Sequence, residues 1–533
     1  MFIARISAST KYALGLFVAA GPVFAANPQP VVPATVMSSA PVVAATQKIH
    51  AIQFSGNTAF TESQLSALVT TELGRDMTLQ DMKNLALKVQ NHYHAAGFRL
   101  AKVVVPQQNF ATGSLSLVVL EGRLGKVESR GATRTNPEIF PLFFAAEQVT
   151  VGKPIDLANA EKAMVRLNRL SGIEATSTLK PGAQQGTTDL LINVTEAPRV
   201  KGSLEVNNYG GKNTGEIRAI AAAEAQNITG VGDALSFIGL MGVDQSGVYF
   251  ARLGYARPIN SKGGKISYYV GVGNTEVGGQ FSALDIQGDN TSAGFGYIHD
   301  FVKSAKVIHT LETWLEVQNL EQSFLGVKTF DDRIRKVRVT YQIDESTAKG
   351  RNLAAISLHQ GLGAKFGGMA NGSPMSSKAI AGADNDFTKL TFDVARVHML
   401  SPRTKLIAQW SGQYALDPLV SSEQWGIGGY GSVAGQTPSA FSGDSGVTLG
   451  LEARRQLFAS NQQWQLIGRV DHGRISIKKP FLGQKATESL SGILMGLAYT
   501  PNQKMEFRVD LAKPVGEKTD AGSYLYAQAR YRF

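Results

Sequence analysis

From about residue 200 to Phe533 this chain is written in period two, and that pattern leaves few folds open to it. In the last segment Leu525, Ala527, Ala529, Tyr531 and Phe533 share one parity, and Tyr524, Tyr526, Gln528, Arg530 and Arg532 share the other. Met505, Phe507, Val509 and Leu511 likewise oppose Lys504, Glu506, Arg508 and Asp510. Val447, Leu449, Leu451 and Ala453 oppose Thr448, Gly450, Glu452 and Arg454. Successive side chains of a strand point to opposite faces, so each segment predicts a strand with one aliphatic and one charged face. A lipid-facing wall around a polar lumen uses both faces, whereas a charge turned to lipid at the midplane costs about 2–4 kcal/mol. About sixteen such strands are expected. They begin near 200, 216, 233, 247, 264, 290, 305, 332, 351, 386, 402, 446, 463, 489, 503 and 524. An even number closes an antiparallel barrel and removes its edges. Short links such as Gly242–Ser246 are expected as periplasmic turns or tight loops, and residues 417–445 form the longest loop. A loop of that length is usually functional.

The other end of the chain fits the same compartment. Arg5 and Lys11 precede an apolar core, Tyr12 to Ala20, and Val23-Phe24-Ala25 offers a cleavage site, so residues 1–25 are expected to be a signal peptide. No later apolar run of about 18 residues could form a transmembrane helix, and a spanning chain without one must be a closed barrel. Residues 26–47, with prolines at 28, 30, 33 and 41, read as an extended linker. The absence of cysteine excludes disulfides and thiolate chemistry. The charge of +11, from 53 Lys+Arg against 42 Asp+Glu, is dispersed along the strands with no dense basic block, which argues against nucleic acid as a partner.

Between linker and barrel lie two similar units, 48–122 and 123–197, each expected to be β-α-α-β-β. The first has strand His50–Ser55, helices Glu62–Val69 and Leu79–Ala95, and strands Arg99–Val105 and Ser114–Leu120. The second has strand Lys126–Arg130, helices near Pro137–Ala145 and at Leu157–Leu170, and strands Glu174–Leu179 and Asp189–Val194. Gly56, Gly74 and Gly113 are matched by Gly131, Gly152 and Gly186, a period of roughly 75 residues. Residues 198–533 complete the organisation as the barrel.

Several segments resemble one family. They include Gly56-Asn57-Thr58, Tyr93-His94-Ala95-Ala96-Gly97-Phe98, Val105-Pro106-Gln107-Gln108, Leu167-Asn168-Arg169-Leu170-Ser171-Gly172, Asn207-Asn208-Tyr209-Gly210 and Asn227-Ile228-Thr229-Gly230-Val231-Gly232-Asp233. In order and spacing the chain, over essentially all of 48–533, resembles the transporter partner of two-partner secretion systems, which exports filamentous haemagglutinins, haemolysins and contact-dependent inhibition toxins. The resemblance implies two polypeptide-transport-associated (POTRA) domains, a lumenal loop that gates the barrel, and no enzymatic activity. It implies an outer-membrane protein of a Gram-negative bacterium, with its POTRA units in the periplasm. The partners it implies are a large secreted exoprotein, the barrel-assembly machinery during biogenesis and outer-membrane lipid, the chain itself being a monomer. A terminal aromatic strand, here with Tyr531 and Phe533, serves such barrels as an assembly signal. An insertase of the same superfamily, a porin and an outer-membrane hydrolase are the alternatives.

The resemblance also assigns residues. Gly428, Gly429, Ser432, Val433, Ala434, Gly435 and Gln436 lie where the family has a loop ending in Val-Arg-Gly-aromatic, whose Arg pairs with a wall Asp. Arg469-Val470-Asp471-His472-Gly473 matches the wall segment, making Arg469, Asp471 and Gly473 the expected partners of the loop. This chain departs from the pattern at Ala434 and Gln436, so the loop is expected to enter the barrel but to be held less tightly, through Gln436, with Arg469 able to satisfy Asp471; the alternative is a loop that lies elsewhere and a leakier pore. On that reading Ala434→Arg should lower conductance by restoring the pair. In the POTRA units Arg99, Lys102, Val104, Glu174 and Thr176 mark candidate edge strands, which offer unpaired backbone to an extended client. Gly443-Asp444-Ser445-Gly446 spells a protease nucleophile segment but lacks its partner motifs, so it is read as a turn. The eight histidines show no metal spacing and no phosphate-binding glycine loop is present, so no cofactor or metal is expected.

Overall fold

The computed structural model describes residues 46–110, 112–245, 247–516 and 522–533. The expected signal peptide and all but the end of the 26–47 linker lie outside the described residues. Gln47, expected in the linker, already pairs as strand β1 (Gln47–Lys48). The chain forms two compact units. The first comprises 46–128, 148–160 and 178–191; the second comprises 129–147, 161–177 and 192–533. No described helix is long and apolar enough to cross a membrane.

In the first unit β1 pairs with β3 (Asp76–Met77), and a three-stranded sheet has the order β2 (Ala51–Ser55), β5 (Ser114–Leu120), β4 (Lys102–Val104). β2 runs parallel to β5, and β4 antiparallel. Helices α1 (Glu62–Val69) and α2 (Leu79–Ala95) each begin with a capping box, Thr61 with Gln64 and Thr78 with Asp81. These boxes satisfy amide donors that helix starts leave unpaired. Leu65, Val69, Met82, Leu85, Val89 and Tyr93 from the helices pack on Leu115, Leu117 and Val119 of the central strand.

The second repeat has β6 (Arg123–Arg130), α3 (Ile139–Ala146), α4 (Leu157–Leu167), β7 (Ile173–Pro181) and β8 (Thr187–Glu196), with sheet order β6-β8-β7. The boundary between the compact units runs through it, so 123–197 is not one separate body here. The two repeats nevertheless share a device. Glu121 accepts hydrogen bonds from the Thr58 amide and hydroxyl and from the Ala59 amide. At the equivalent place Glu196 accepts them from the Thr133 hydroxyl and from the Arg134 and Thr135 amides. The preceding glycines, Gly56 (φ 81°) and Gly131 (φ 86°), lie so close to the carbonyls of Val119 and Val194 that a Cβ would sit 2.3 Å away.

Burial raises the Glu121 carboxyl, but hydrogen bonds from Thr58, Ala59 and Tyr93 outweigh it and hold the group below its ordinary value. Glu196 is held well below it in the same way, burial being outweighed by Arg134 and Thr133. A depressed carboxyl contributes stability that is present above its unfolded pKa and is lost as pH falls through its folded one. Glu121→Gln should therefore lower hydrogen-exchange protection of the Thr58 and Ala59 amides about 10-fold at neutral pH. Wild-type protection, corrected for intrinsic exchange rates, should decline below the ordinary carboxylate range while that of the variant stays flat.

The second unit closes as a sixteen-stranded barrel. Its strands are β9 (Val200–Asn207), β10 (Arg218–Gln226), β11 (Ala234–Gly242), β12 (Tyr249–Pro258), β13 (Gly264–Val277), β14 (Ile286–Ser304), β15 (Val307–Phe324), β16 (Val327–Thr347), β17 (Gly350–Gly361), β18 (Thr388–Ser401) and β19 (Thr404–Ala415). After an excursion containing β20 (Trp425–Ile427) and β21 (Phe441–Gly443) come β22 (Ser445–Gln456), β23 (Trp464–Ser476), β24 (Thr487–Tyr499), β25 (Met505–Val515) and β26 (Tyr524–Arg532). Every neighbouring pair is antiparallel, and β26 pairs with β9, Gln528 opposite Asn207 through Arg532 opposite Ser203. Phe533 and Gly202 exchange backbone hydrogen bonds of 3.1 and 3.0 Å, and the Asn208 side chain bonds the backbone of Leu525 and Ala527 at 2.8 Å. Tyr531 and Phe533 point outward.

The alternation reads out as wall and lumen. Phe507, Val509 and Leu511 are exposed outside, whereas Arg508 and Asp510 are buried inside. β16 departs most from its expected start, beginning at Val327 rather than near 332. The hydrogen-bond ladder there runs on through Lys328 and Asp331, where the hydrophobic alternation has already faded. The link that follows β11 leaves the barrel at the end remote from residue 200, so of the two expectations it fits a tight loop and not a turn of the near end. At the near end Arg169 binds Asp300 bidentately at 2.8 and 2.9 Å, Lys265 adds a third contact at 2.8 Å, and Arg166 donates to the carbonyls of Lys262 and Asp300.

Candidate functional site: the lumenal loop

The connection between β19 and β22, residues 416–444, turns into the barrel. Its root is stapled by Asp444, which is 2 % exposed. One Asp444 oxygen accepts from the Leu419 amide (2.8 Å) and Gln424 Nε2 (3.2 Å), and the other from the Lys478 amide (2.7 Å). Ser445 Oγ accepts from the Ala415 amide at 3.0 Å. The Gly443-Asp444-Ser445-Gly446 segment thus holds the two ends of the loop together. Above the root, β20 and β21 form a short hairpin, and Trp425, Ile427 and Val433 pack on Ile475 and Leu490 of the wall. The connection 362–387 covers this stem from outside, with Met369, Ala383 and Phe387 packed against Ala415, Leu419 and Val420.

The tip begins at Gly428 (φ 110°) and Gly429 (φ 85°), conformations that an L side chain rarely adopts. Ser432 Oγ accepts from the Gly428 amide at 2.9 Å and fixes the turn. Val433 packs over Gly473, the Ala434 amide donates to Asp471 at 3.1 Å, and the Gly435 amide donates to the Tyr526 hydroxyl at 3.3 Å. Gln436 donates to the Ser491 carbonyl at 3.2 Å. The wall allows this approach because it is small: a Cβ on Gly492 would lie 1.9 Å from the Ala434 carbonyl oxygen. Gly492→Val should therefore force the tip off β24 and raise the leak of large antibiotics such as vancomycin into cells; sensitivity equal to wild type would contradict the close seating.

Asp471 is 5 % exposed and is paired with Arg469, Nε to Oδ1 at 2.8 Å; the same guanidinium donates to the Ser432 carbonyl at 3.3 Å. The wall thus supplies the cation that position 434 lacks. Ala434 has no exposed surface and belongs to a buried apolar cluster that includes Leu494, Ala512 and Tyr526. An Arg there would meet an occupied apolar patch and an already neutralised Asp471, so Ala434→Arg cannot simply restore a pair.

A further anchor was not among the expected residues. Tyr430 stacks on Tyr209 with ring centroids 3.8 Å apart and planes 9° from parallel. Its hydroxyl donates to Asp510 at 3.0 Å, and the guanidinium groups of Arg469 and Arg508 lie 5.6 and 5.5 Å from its centroid. Tyr526 closes the cage edge-on at 5.0 Å. The signal for this cage was present in the alternation: Tyr526, Arg508 and Asp510 all carry lumenal parity, and an aromatic in a polar lumen requires a partner. On the opposite wall Glu423, at the loop root, is held between Lys336 of β16 and Lys389 of β18. The loop is thus fastened to the barrel on two sides.

The expected client-binding residues divide. Lys102 and Val104 are exposed on β4, an edge strand, with Val103 turned into the core. Glu174 and Thr176 are exposed on β7, also an edge, with Ala175 buried. Arg99 is not on the strand: its amide bonds the Gly97 carbonyl in the preceding turn, because two more turn residues are needed before the chain can join β5.

Residues 186–499 match the family described as haemolysin secretion/activation protein ShlB/FhaC/HecB, and residues 47–122 match the ShlB-type POTRA domain. The heme/hemopexin transporter protein HuxB of Haemophilus influenzae is 24 % identical over 469 residues, covering 86 % of this chain and 81 % of HuxB. The outer membrane transporter CdiB of Dickeya dadantii is 24 % identical over 435 residues, covering 78 % and 73 %. Among solved structures, CdiB from Escherichia coli superposes with a TM-score of 0.74 at 18 % identity, covering 94 % and 93 % of the two chains.

Proposed function

The chain belongs to the haemolysin secretion/activation protein family, and from that premise we propose how it moves its client. It is an outer-membrane transporter of the two-partner secretion type. The client, a large exoprotein, arrives unfolded in the periplasm, and β4 and β7 take it up by adding its backbone to their free edges. Such pairing makes weak demands on side chains and suits a client that must pass its whole length. The client then enters the barrel and displaces the loop 416–444, which closes the lumen at rest. No bond is made or broken in it. The observation that carries this reading is the loop fastened across the lumen, its root on β16 and β18 and its tip on β23 to β26. A porin has no need of a fastened plug preceded by two repeats with free sheet edges.

The test is a proteomic comparison of culture supernatants from cells with and without the gene. Loss of one large exoprotein, with outer-membrane porins unchanged, is the expected result. Depletion of several barrels from the outer membrane, with no exoprotein lost, would instead make the protein an insertase.

A further inference from the structure

The Glu423 clasp has the construction of a ligand site whose occupant is part of the protein. Its carboxylate is 2 % exposed, with Oε1 2.6 Å from Lys336 Nζ and Oε2 2.7 Å from Lys389 Nζ. Lys389 also donates to Gln413 Oε1 and to the Glu423 carbonyl, at 3.1 and 2.8 Å, so its ammonium is aimed by the wall and by the loop together. Arg338, His359 and Lys389 stand opposite one another on β16, β17 and β18, forming one basic rung across three strands, with Lys336 two residues earlier on β16. His359 bonds Thr391 through Nε2 at 3.2 Å, while its buried Nδ1 has no partner. The carboxylates that the wall itself supplies are Glu316, 3.2 Å from Arg338 and 3.9 Å from Lys336, and Glu312, 3.9 Å from Arg338. With the loop in place three wall cations face three carboxylates. With the loop displaced they face two, and the ammonium groups of Lys336 and Lys389 lose their shared partner.

We propose that this rung is a carboxylate-binding site of the lumen, occupied at rest by Glu423 and taken over in transit by aspartate and glutamate side chains of the exported polypeptide. The inference rests on the pore reading above. Withdrawing Glu423 without a substitute takes this carboxylate from Lys389 and leaves Lys336 with Glu316 at 3.9 Å, whereas exchanging one carboxylate for another preserves the charge-assisted bonds. An acidic segment of client thereby stabilises the displaced state of the loop, and the loop's own carboxylate competes it away when the segment has passed.

Single-channel recording of the full chain in planar bilayers tests this, with two capped twelve-residue peptides as probes, alternating Glu-Gly and alternating Gln-Gly. In Glu423→Gln the Glu peptide should block at a concentration about 10-fold below its Gln analogue, the difference between a charge-assisted and a neutral hydrogen bond. Adding Lys336→Gln and Lys389→Gln should bring the ratio to about one. A chain lacking residues 418–443 exposes the same rung without a residue at 423 and gives the same readout if Glu423→Gln fails to fold. Equal block by both peptides in a conducting variant, or a preference that survives loss of both lysines, overturns the site and leaves the pore intact. A folded loop-deleted chain that passes no current overturns the pore reading and the site with it.

Discussion

Tyr430→Ala should convert a closed pore into a mostly open one. The ring stacks on Tyr209, has two guanidinium groups within 5.6 Å of its centroid and donates its hydroxyl to Asp510. An aromatic pair contributes about 0.5–1.5 kcal/mol beyond its buried area. Each cation–π contact adds about 0.5–1 kcal/mol. A hydrogen bond to a carboxylate adds about 1.5–3 kcal/mol. After discounting for overlap, their loss together is about 3–5 kcal/mol, which moves a two-state equilibrium by a factor of about 150 to 5,000. Open probability in planar bilayers and vancomycin sensitivity of cells should both rise accordingly. Tyr430→Phe keeps the stack and loses only the bond to Asp510, so its effect should be about 10- to 150-fold. Tyr209→Ala should reproduce much of the effect and add little to Tyr430→Ala, because the two rings act as one contact. An open probability unchanged by Tyr430→Ala would mean that the tip is held by its backbone contacts alone.

The barrel was legible because lipid outside and water inside impose a different demand on each parity of every strand. The starts of β9, β13 and β26 coincide with those read from the alternation, and the even strand number follows from closure. The helices α1 and α2 were legible for a second reason, since Thr61 and Thr78 stand three residues before the partners that complete their capping boxes. The loop was harder. Its location follows from length, but its contacts join residues far apart in sequence. Tyr209 meets Tyr430, and Glu423 meets Lys336, pairs that no local pattern announces. Reading the tip against a Val-Arg-Gly pattern points to the missing cation at 434 and to Arg469 in its stead, but away from Arg508, which stands on the lumenal parity of β25 and delivers a second cation from the wall. The Glu196 clasp was within reach, since it repeats Glu121 at the period already seen in the glycines.

Ala434→Arg should open the pore, the reverse of what the family pattern alone suggests. The Ala434 methyl has no exposed surface and belongs to a buried apolar cluster that includes Leu494, Ala512 and Tyr526. The wall beneath the tip is apolar and small where a loop Arg would need polar partners. Overpacking such a contact costs about 1–3 kcal/mol. The new guanidinium also finds Asp471 already paired with Arg469 at 2.8 Å. A second cation beside that pair is uncompensated, and burying one costs about 3–5 kcal/mol. Leaving the lumen relieves both penalties, so the tip should be expelled and leak should rise at least about 100-fold, as for Tyr430→Ala. Arg469→Ala in the same chain removes the competing cation and frees its volume, leaving Asp471 to accept the loop guanidinium. The double variant should therefore leak less than either single variant, a favourable coupling where two independent lesions would simply add. If Ala434→Arg alone seals the pore, Arg469 does not neutralise Asp471 in the membrane; if the double variant leaks as the sum of the singles, the loop cation cannot reach Asp471 at all.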